Sequence, residues 1–443
     1  MDTPRKTWQT GQALPLAMVL LVAVAATVFF MFNSGQLVQE KVRLTNTADA
    51  VAYSAGVFEA RVLNYDAYTN RAIIANEIAI GHAVGLASWL KYAGTTAHTI
   101  APYLYLIPYA GPAIATALNH VDSMASFWTQ FALAPAVTMH DAAINALAAS
   151  QLAVHGPGNA IALASRKALM DEVAQKNDPD VKVDVLPVAD DFAGFTQYYA
   201  SRDERMRMGT LVHDSRDAFL RSRNWNFGLV VLCTGVVLRK RGSTELIDLV
   251  DGWKSMDTLS AHHYRIRRFR CRRSENPLGY GTASSDEGLD DFGYSYAGSR
   301  STNPRASYMA EYHVADGFEP PTLGGGAIPA YHELSEAALK RDDPLTALTI
   351  RVSKARAAQV FSGGGGTIQP KGSLDLYQGA LAKNESAAVA KVEVYFERPD
   401  GRNKLFNKEE AGSLFNPYWQ VRLAPVSAGE RALAQFRQGL QLP

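Results

Sequence analysis

The sequence predicts an α+β fold: an N-terminal transmembrane helix continuing into a long α-helical stalk or bundle, followed by a C-terminal β-rich domain. Three observations carry that reading. No charged side chain occurs from Thr7 to Gln39. From Leu44 onward, apolar and small residues recur at alternating intervals of four and three, as on one face of a helix. Past Trp225 the pattern changes to short β-branched runs punctuated by glycine. The linear division is residues 1–12 as a cytoplasmic N-terminus, 13–32 as the membrane helix, 33–223 as the α-rich region and 224–443 as the β-rich domain.

Composition narrows the function classes. A chain of 443 residues, 47% of them hydrophobic, has room for two or three domains with real cores. Lys+Arg 44 against Asp+Glu 43 leaves a net charge of +1, which argues against wholesale binding of nucleic acid. With 20% charged and 10% aromatic residues, the chain is not a disordered acidic protein. Cys233 and Cys271 are too few for a thiolate zinc site or a disulfide framework.

The anchor comes first. Ala13 through Leu20 to Phe32 is nearly continuously apolar. At ~1.5 Å per residue such a run matches a hydrocarbon core of ~30 Å. Pro15 falls in the first turn, where a missing N–H is harmless. A cleaved secretory signal is the competing reading, with Arg5 and Lys6 as its basic end. The run exceeds the usual apolar core of a signal and no A-x-A site closes it, so a retained span is preferred. Arg5 and Lys6 before the span favour an inside N-terminus with the remainder exported, although Lys41 and Arg43 follow it.

Beyond the span, Leu44, Ala48, Val51, Ala55, Phe58, Val62 and Tyr65 define a packing face. The same register runs on through Thr69, Ala72, Asn76, Ala79, Ala83, Leu86 and Leu90. Glu40, Lys41, Arg43, Asp49, Glu59, Arg61, Asp66 and Arg71 lie off it and are expected in solvent. Small residues on the face allow close backbone approach. Two partners suit it: the helices that follow in the same chain, which the adjoining apolar helical sequence favours, or a second copy or another membrane subunit in a coiled-coil stalk.

These residues also carry a resemblance. Gly11-Gln12, the span and the stretch from Leu44 to Ala50 (LTNTADA) resemble the start of the TadG-like proteins of the Flp (tight-adherence, Tad) pilus assembly system. Tyr65 to Glu77 and Leu414 to Pro425 (LFNPYWQVRLAP) resemble further segments of the same group. Thr47 stands where the family usually has alanine. Leu16 stands where prepilin-like subunits carry the glutamate after the processing glycine, which argues against polymerisation as a pilin. No D-x-S-x-S string occurs, so metal-dependent adhesion is not carried over. The resemblance implies a bacterial inner-membrane protein with its bulk in the periplasm. Its role would be an accessory or minor component of pilus assembly, a scaffold working through helix packing. Its partners would be the lipid bilayer and other assembly or pilin subunits, a second copy included. The alternative is a membrane-tethered envelope adhesin or binding module that uses the β-rich domain.

Between Ile78 and Val121 the only charged residue is Lys91. Ile100 to Leu118 is long enough to cross a bilayer, but Pro102, Pro108 and Pro112 interrupt it. A second span, a re-entrant or interfacial segment and a buried loop between helices are the three dispositions, the last preferred. Helices are expected over 113–131 and 137–155, with a break at Pro135. A turn at 156–159 precedes a helix capped by Asn159 and running to about Gln175. An amphipathic helix is expected from Asp191 to Arg223.

Strands are expected at 227–239 (buried), 263–272, 346–353, 388–397 and 418–423. Six arginines fall between Arg265 and Arg273. They read as a solvated edge strand, with a basic face for an acidic partner or lipid headgroups as the sharper alternative. Gly324–Gly326 and Gly363–Gly366 lack the Lys-Ser/Thr pair of a phosphate loop and read as turns. Asp286, Glu287, Asp290 and Asp291 lack EF-hand spacing and read as a flexible acidic loop. His262 and His263 point to opposite faces of a strand, and His332-Glu333 lacks the second histidine of a zinc helix. There is no G-x-S-x-G. No catalytic residue, cofactor, metal or small-molecule substrate is therefore expected. Cys233 and Cys271 each lie in a strand candidate, where a disulfide and buried free thiols are both open.

Overall fold

The computed structural model describes residues 13–312, 321–355, 385–398 and 410–439. Residues 1–12, with Gly11-Gln12, and the glycine run at 363–366 lie outside it. In chain order the helices are α1 (Ala13–Leu104), α2 (Gly111–Trp128), α3 (Ala134–His155), α4 (Ala160–Asn177), α5 (Arg202–Asp214), α6 (Ala218–Arg221), α7 (Ser299–Thr302), α8 (Pro304–Tyr312), α9 (Glu336–Leu339) and α10 (Ala428–Gly439). The strands are β1 (Val181–Asp190), β2 (Thr196–Tyr199), β3 (Trp225–Val231), β4 (Thr234–Ile247), β5 (Gly252–Arg267), β6 (Arg270–Ser284), β7 (Tyr331–Leu334), β8 (Leu345–Ala355), β9 (Glu385–Phe396) and β10 (Trp419–Ala424). The α+β class holds, with a long apolar N-terminal helix and strands concentrated in the second half.

Packing groups the chain differently from its linear order. One compact unit takes Met1–Asn64, His155–Thr196 and Leu334–Pro443; the other takes Tyr65–Val154 and Gln197–Glu333. Each draws helices and strands from both halves of the sequence.

In the first unit, β1, β8, β9 and β10 form an antiparallel sheet in the order β1-β8-β9-β10. Val183 lies opposite Val352, and Ile350 opposite Ala390. The side chains of Leu348, Ile350, Val352, Ala390 and Val392 alternate along their strands and so share one face. They form a single core with Leu44, Ala48, Val51, Ala52 and Ala55 of α1 and with Met170 and Ala174 of α4. The opposite face carries Thr349 and Lys391, which meet Glu430 of α10 at 3.0 and 3.1 Å.

The second unit is built on two hairpins in the order β3-β4-β5-β6. Gly281 sits against the helix backbone: a Cβ there would lie 2.4 Å from the Ser88 carbonyl oxygen and from the Tyr92 nitrogen. Trp253 is fully buried and its indole N–H donates to Glu77 at 3.0 Å. Asp257, also fully buried, accepts from Arg223 through both carboxylate oxygens, from Lys240 and from Ser88. β2 and β7 pair as a separate two-stranded sheet.

Several expected elements differ. The stretch 191–223 is not one helix. β1 ends at Asp190, β2 follows, and α5 begins only where Ser201 and Glu204 form a reciprocal capping box. The single strands expected over 227–239 and 263–272 are each two strands folded about a tight turn, and β3 is exposed rather than buried. Pro135 does not break the helical run; a π-turn over Thr129–Leu133 absorbs it. Asn159 precedes α4 but does not cap it: its side chain bonds His155, Ala193 and Thr196 instead. The segment 100–118 is the end of α1, a loop over 105–110 and the start of α2. It is not buried, since Leu106 and Tyr109 are open to solvent.

Candidate functional site

The anchor and the strip behind it are one uninterrupted helix. Among the described residues α1 is the one helix long and apolar enough to cross a bilayer, and its most apolar window has no buried residue. Ala13, Leu20 and Phe32 are all exposed. A row of leucine, valine and phenylalanine that no protein core covers is what a lipid-facing span requires.

Burial begins at Leu44. Leu44, Ala48, Val51, Ala55 and Val62 are buried and Phe58 partly so. The face expected to pack inside the chain does so, but its partners in the first unit are a β-sheet and α4, not simply the helices that follow. Gly56 sets the approach: a Cβ there would come within 2.5 Å of Val392 and Val421. The helix between two of the segments that carried the sequence resemblance thus meets the third, which contains Val421. Asn64 completes the contact, donating to the Trp419 carbonyl at 2.9 Å and accepting from the Trp419 N–H at 3.0 Å.

Two charged residues expected in solvent are fully buried, Glu59 and Asp66. Arg166 on α4 donates to Glu59 at 2.5 Å and also holds Asp190. Burial pushes the Glu59 carboxyl up to about 7, the Arg166 guanidinium pulling in the other direction. Among the described residues its salt link is the strip's one deep ionic tie to α4, and nothing in the spacing around Glu59 announces a partner more than a hundred positions away. Toward the start of the strip, Lys354 lies 2.8 Å from Glu40 and 2.8 Å from Asp178.

The catalytic and metal candidates disperse. His262 is buried against Asn303 at 2.9 Å, and His332 and Glu333 are buried in the second unit. Asp291 of the acidic stretch is engaged by Lys254, Arg300 and Tyr296; these outweigh burial and hold its carboxyl below the usual range. Among the described residues no group of three or more His, Cys, Asp or Glu is placed to hold a metal ion. Cys233 and Cys271 are joined in a disulfide, Cα atoms 5.7 Å apart. Cys233 sits in the β3–β4 turn rather than in a strand.

Comparison with known proteins agrees with this geometry at one place. Residues 11–60 match the Flp pilus-assembly TadE/G-like family. No curated protein and no solved structure matches the chain. The matched stretch covers the exposed span and the buried strip as far as Ala60, so the chain carries a TadE/TadG-type N-terminal region.

Proposed function

We propose that this chain is a membrane-anchored accessory or minor component of Flp pilus assembly. It would be inserted with its N-terminus cytoplasmic and its folded units in the periplasm, and would act as a scaffold. The observation that supports the reading is the continuity of α1. An exposed apolar span runs without a break into a strip locked in the first unit's core, all within the family-matched residues. Because the strip is already occupied, the helix transmits anchoring to the folded unit, and pilus subunits meet other surfaces. The role is non-catalytic: the helix positions, and no bond is made or broken.

The test is Leu20→Arg with Val24→Arg in the native bacterium. Each charge at a span's centre costs about 3 kcal/mol. The full chain should stay with carbonate-washed membranes, while the variant should leave them and pili should be lost. Piliation unchanged by a released chain would overturn the proposal. The adhesin alternative draws on the exposed end of the β3–β6 sheet, and retained pili with lost cell attachment would favour it.

A further inference from the structure

We infer that the disulfide-tied end of the β3–β6 sheet is a docking tip for the surface of an anionic lipid bilayer. The inference stands on that sheet alone and is independent of the pilus reading. Two hairpins end there, β3–β4 at Leu232-Cys233 and β5–β6 at Arg268-Phe269. The Cys233–Cys271 bond ties one to the other.

What the two turns display is unusual for turns. Leu232 is 88% exposed and Phe269 wholly so, with Ile266 and Val231 exposed beside them. All four turn residues have positive φ: 47° and 63° at Leu232 and Cys233, 50° and 60° at Arg268 and Phe269. Two-residue hairpins of that geometry select Asn-Gly, because bulky side chains strain the left-handed region. Here leucine and phenylalanine accept that strain and bury nothing in return. Strain retained without a packing gain points to use.

Charge selects the occupant. All six arginines from Arg265 to Arg273 are exposed, and among the described residues none is in an ion pair. No carboxylate occurs between Thr258 and Ser274 or between Trp225 and Thr244. Guarding a sheet edge explains Arg270, Arg272 and Arg273 on the edge strand β6 but not the whole set: Arg265 and Arg267 lie on the inner strand β5, Arg268 in the turn, and the other edge strand, β3, has no charge. Apolar apices with arginines one to four residues behind them put the guanidiniums ~3–13 Å up the strands. An interfacial group sinks ~5–10 Å, so the apices reach the acyl boundary while the arginines meet headgroup phosphates. An acidic protein would neutralise the arginines but leave the protruding Leu232 and Phe269 without a preformed slot.

The test uses the full chain in nanodiscs of phosphatidylcholine, mixed with separate vesicles and floated. Vesicles containing about one third phosphatidylglycerol should carry the nanodiscs up; vesicles of phosphatidylcholine alone should not. Arg267→Gln with Arg268→Gln and Arg270→Gln should weaken co-flotation on the order of 100-fold, and Leu232→Ser with Phe269→Ser should abolish it. In the otherwise native chain, Phe269→Trp should add an emission that shifts to the blue on anionic vesicles and is quenched by brominated lipid. This readout decides the matter even if a multiple variant misfolds. Emission of the Phe269→Trp variant that is unchanged by anionic vesicles, equal flotation with both vesicle types, or pairing of nanodiscs through the tip without vesicles would each overturn the inference.

Discussion

The two stretches of α1, one in each compact unit, bury different registers of the same apparent repeat. Between Leu44 and Val62 the positions read from the sequence are buried except Phe58, which is partly so, and Glu59 beside it is already fully covered. Beyond Tyr65 burial moves ahead: Ile73, Ile80, Val84 and Ala87 are covered, whereas Leu86, on the expected face, is exposed. The slip is about one residue. A strict 3.5-residue seam drifts ~20° per heptad against a straight α-helix. Over the six heptads or so from Leu44 to Leu86, that is roughly one position. Within this chain the buried positions thus follow a straight helix's 3.6-residue pitch laid on sheets rather than a 3.5-residue seam. A repeat of alternating fours and threes over five turns cannot separate these cases, and over twelve it can.

Both stretches also bury a carboxylate, and they compensate it differently. Glu59 has the Arg166 guanidinium, while Glu77 has the Trp253 indole N–H. The largest expected effect breaks the first. Arg166→Met leaves Glu59 and Asp190 without their cation and should cost the first unit about 3–5 kcal/mol. Hydrogen exchange should show the loss there, at α4 and β8, before the second unit opens.

The second carboxylate gives a pH signature. Burial pushes Glu77 up to about 7, with the Trp253 hydrogen bond opposing and Asp141 adding to the rise; its ordinary value is 4.5. Between those values the folded state holds the extra proton, so its stability falls as pH rises. Wild type should lose about 3 kcal/mol more than Glu77→Gln between pH 4.5 and 7.5. Unfolding curves of the two should converge at acid pH; parallel curves would place the Glu77 titration elsewhere.

Glycines sharpen the comparison further. Gly56→Ala drives a methyl into Val392 and Val421 and should destabilise by about 1–3 kcal/mol. Gly35→Ala, on the same helix with nothing within 4 Å, should be neutral or stabilising by about 0.5–1 kcal/mol. If both behave alike in thermal unfolding, helix propensity rather than packing governs the strip.

How much of this was legible follows from where the signals are local. The span, the first half of the packing strip and β8, β9 and β10 declare themselves through composition and period. β1 was equally readable, since Val181, Val183 and Val185 alternate with Lys182 and Asp184, but the surrounding helical sequence masked it. The hairpins at Leu232-Cys233 and Arg268-Phe269 were not readable, because neither turn contains the glycine or asparagine that marks one. The buried charge of Glu59 was hidden for a third reason. It occupies the position next to Phe58, and a 3.5-residue reading assigns the face to the neighbour. Its partner Arg166 is a long-range fact that a single sequence does not contain.

The central claim is that the strip behind the span is filled by its own chain rather than by another copy. It is tested by zero-length carbodiimide cross-linking of Glu40 to Lys354, 2.8 Å apart, in membranes holding equal amounts of light and nitrogen-15-labelled full chain. The account expects every Glu40–Lys354 peptide pair to be wholly light or wholly heavy. Mixed light–heavy pairs in quantity would show that α1 packs on a neighbour's sheet and would contradict it.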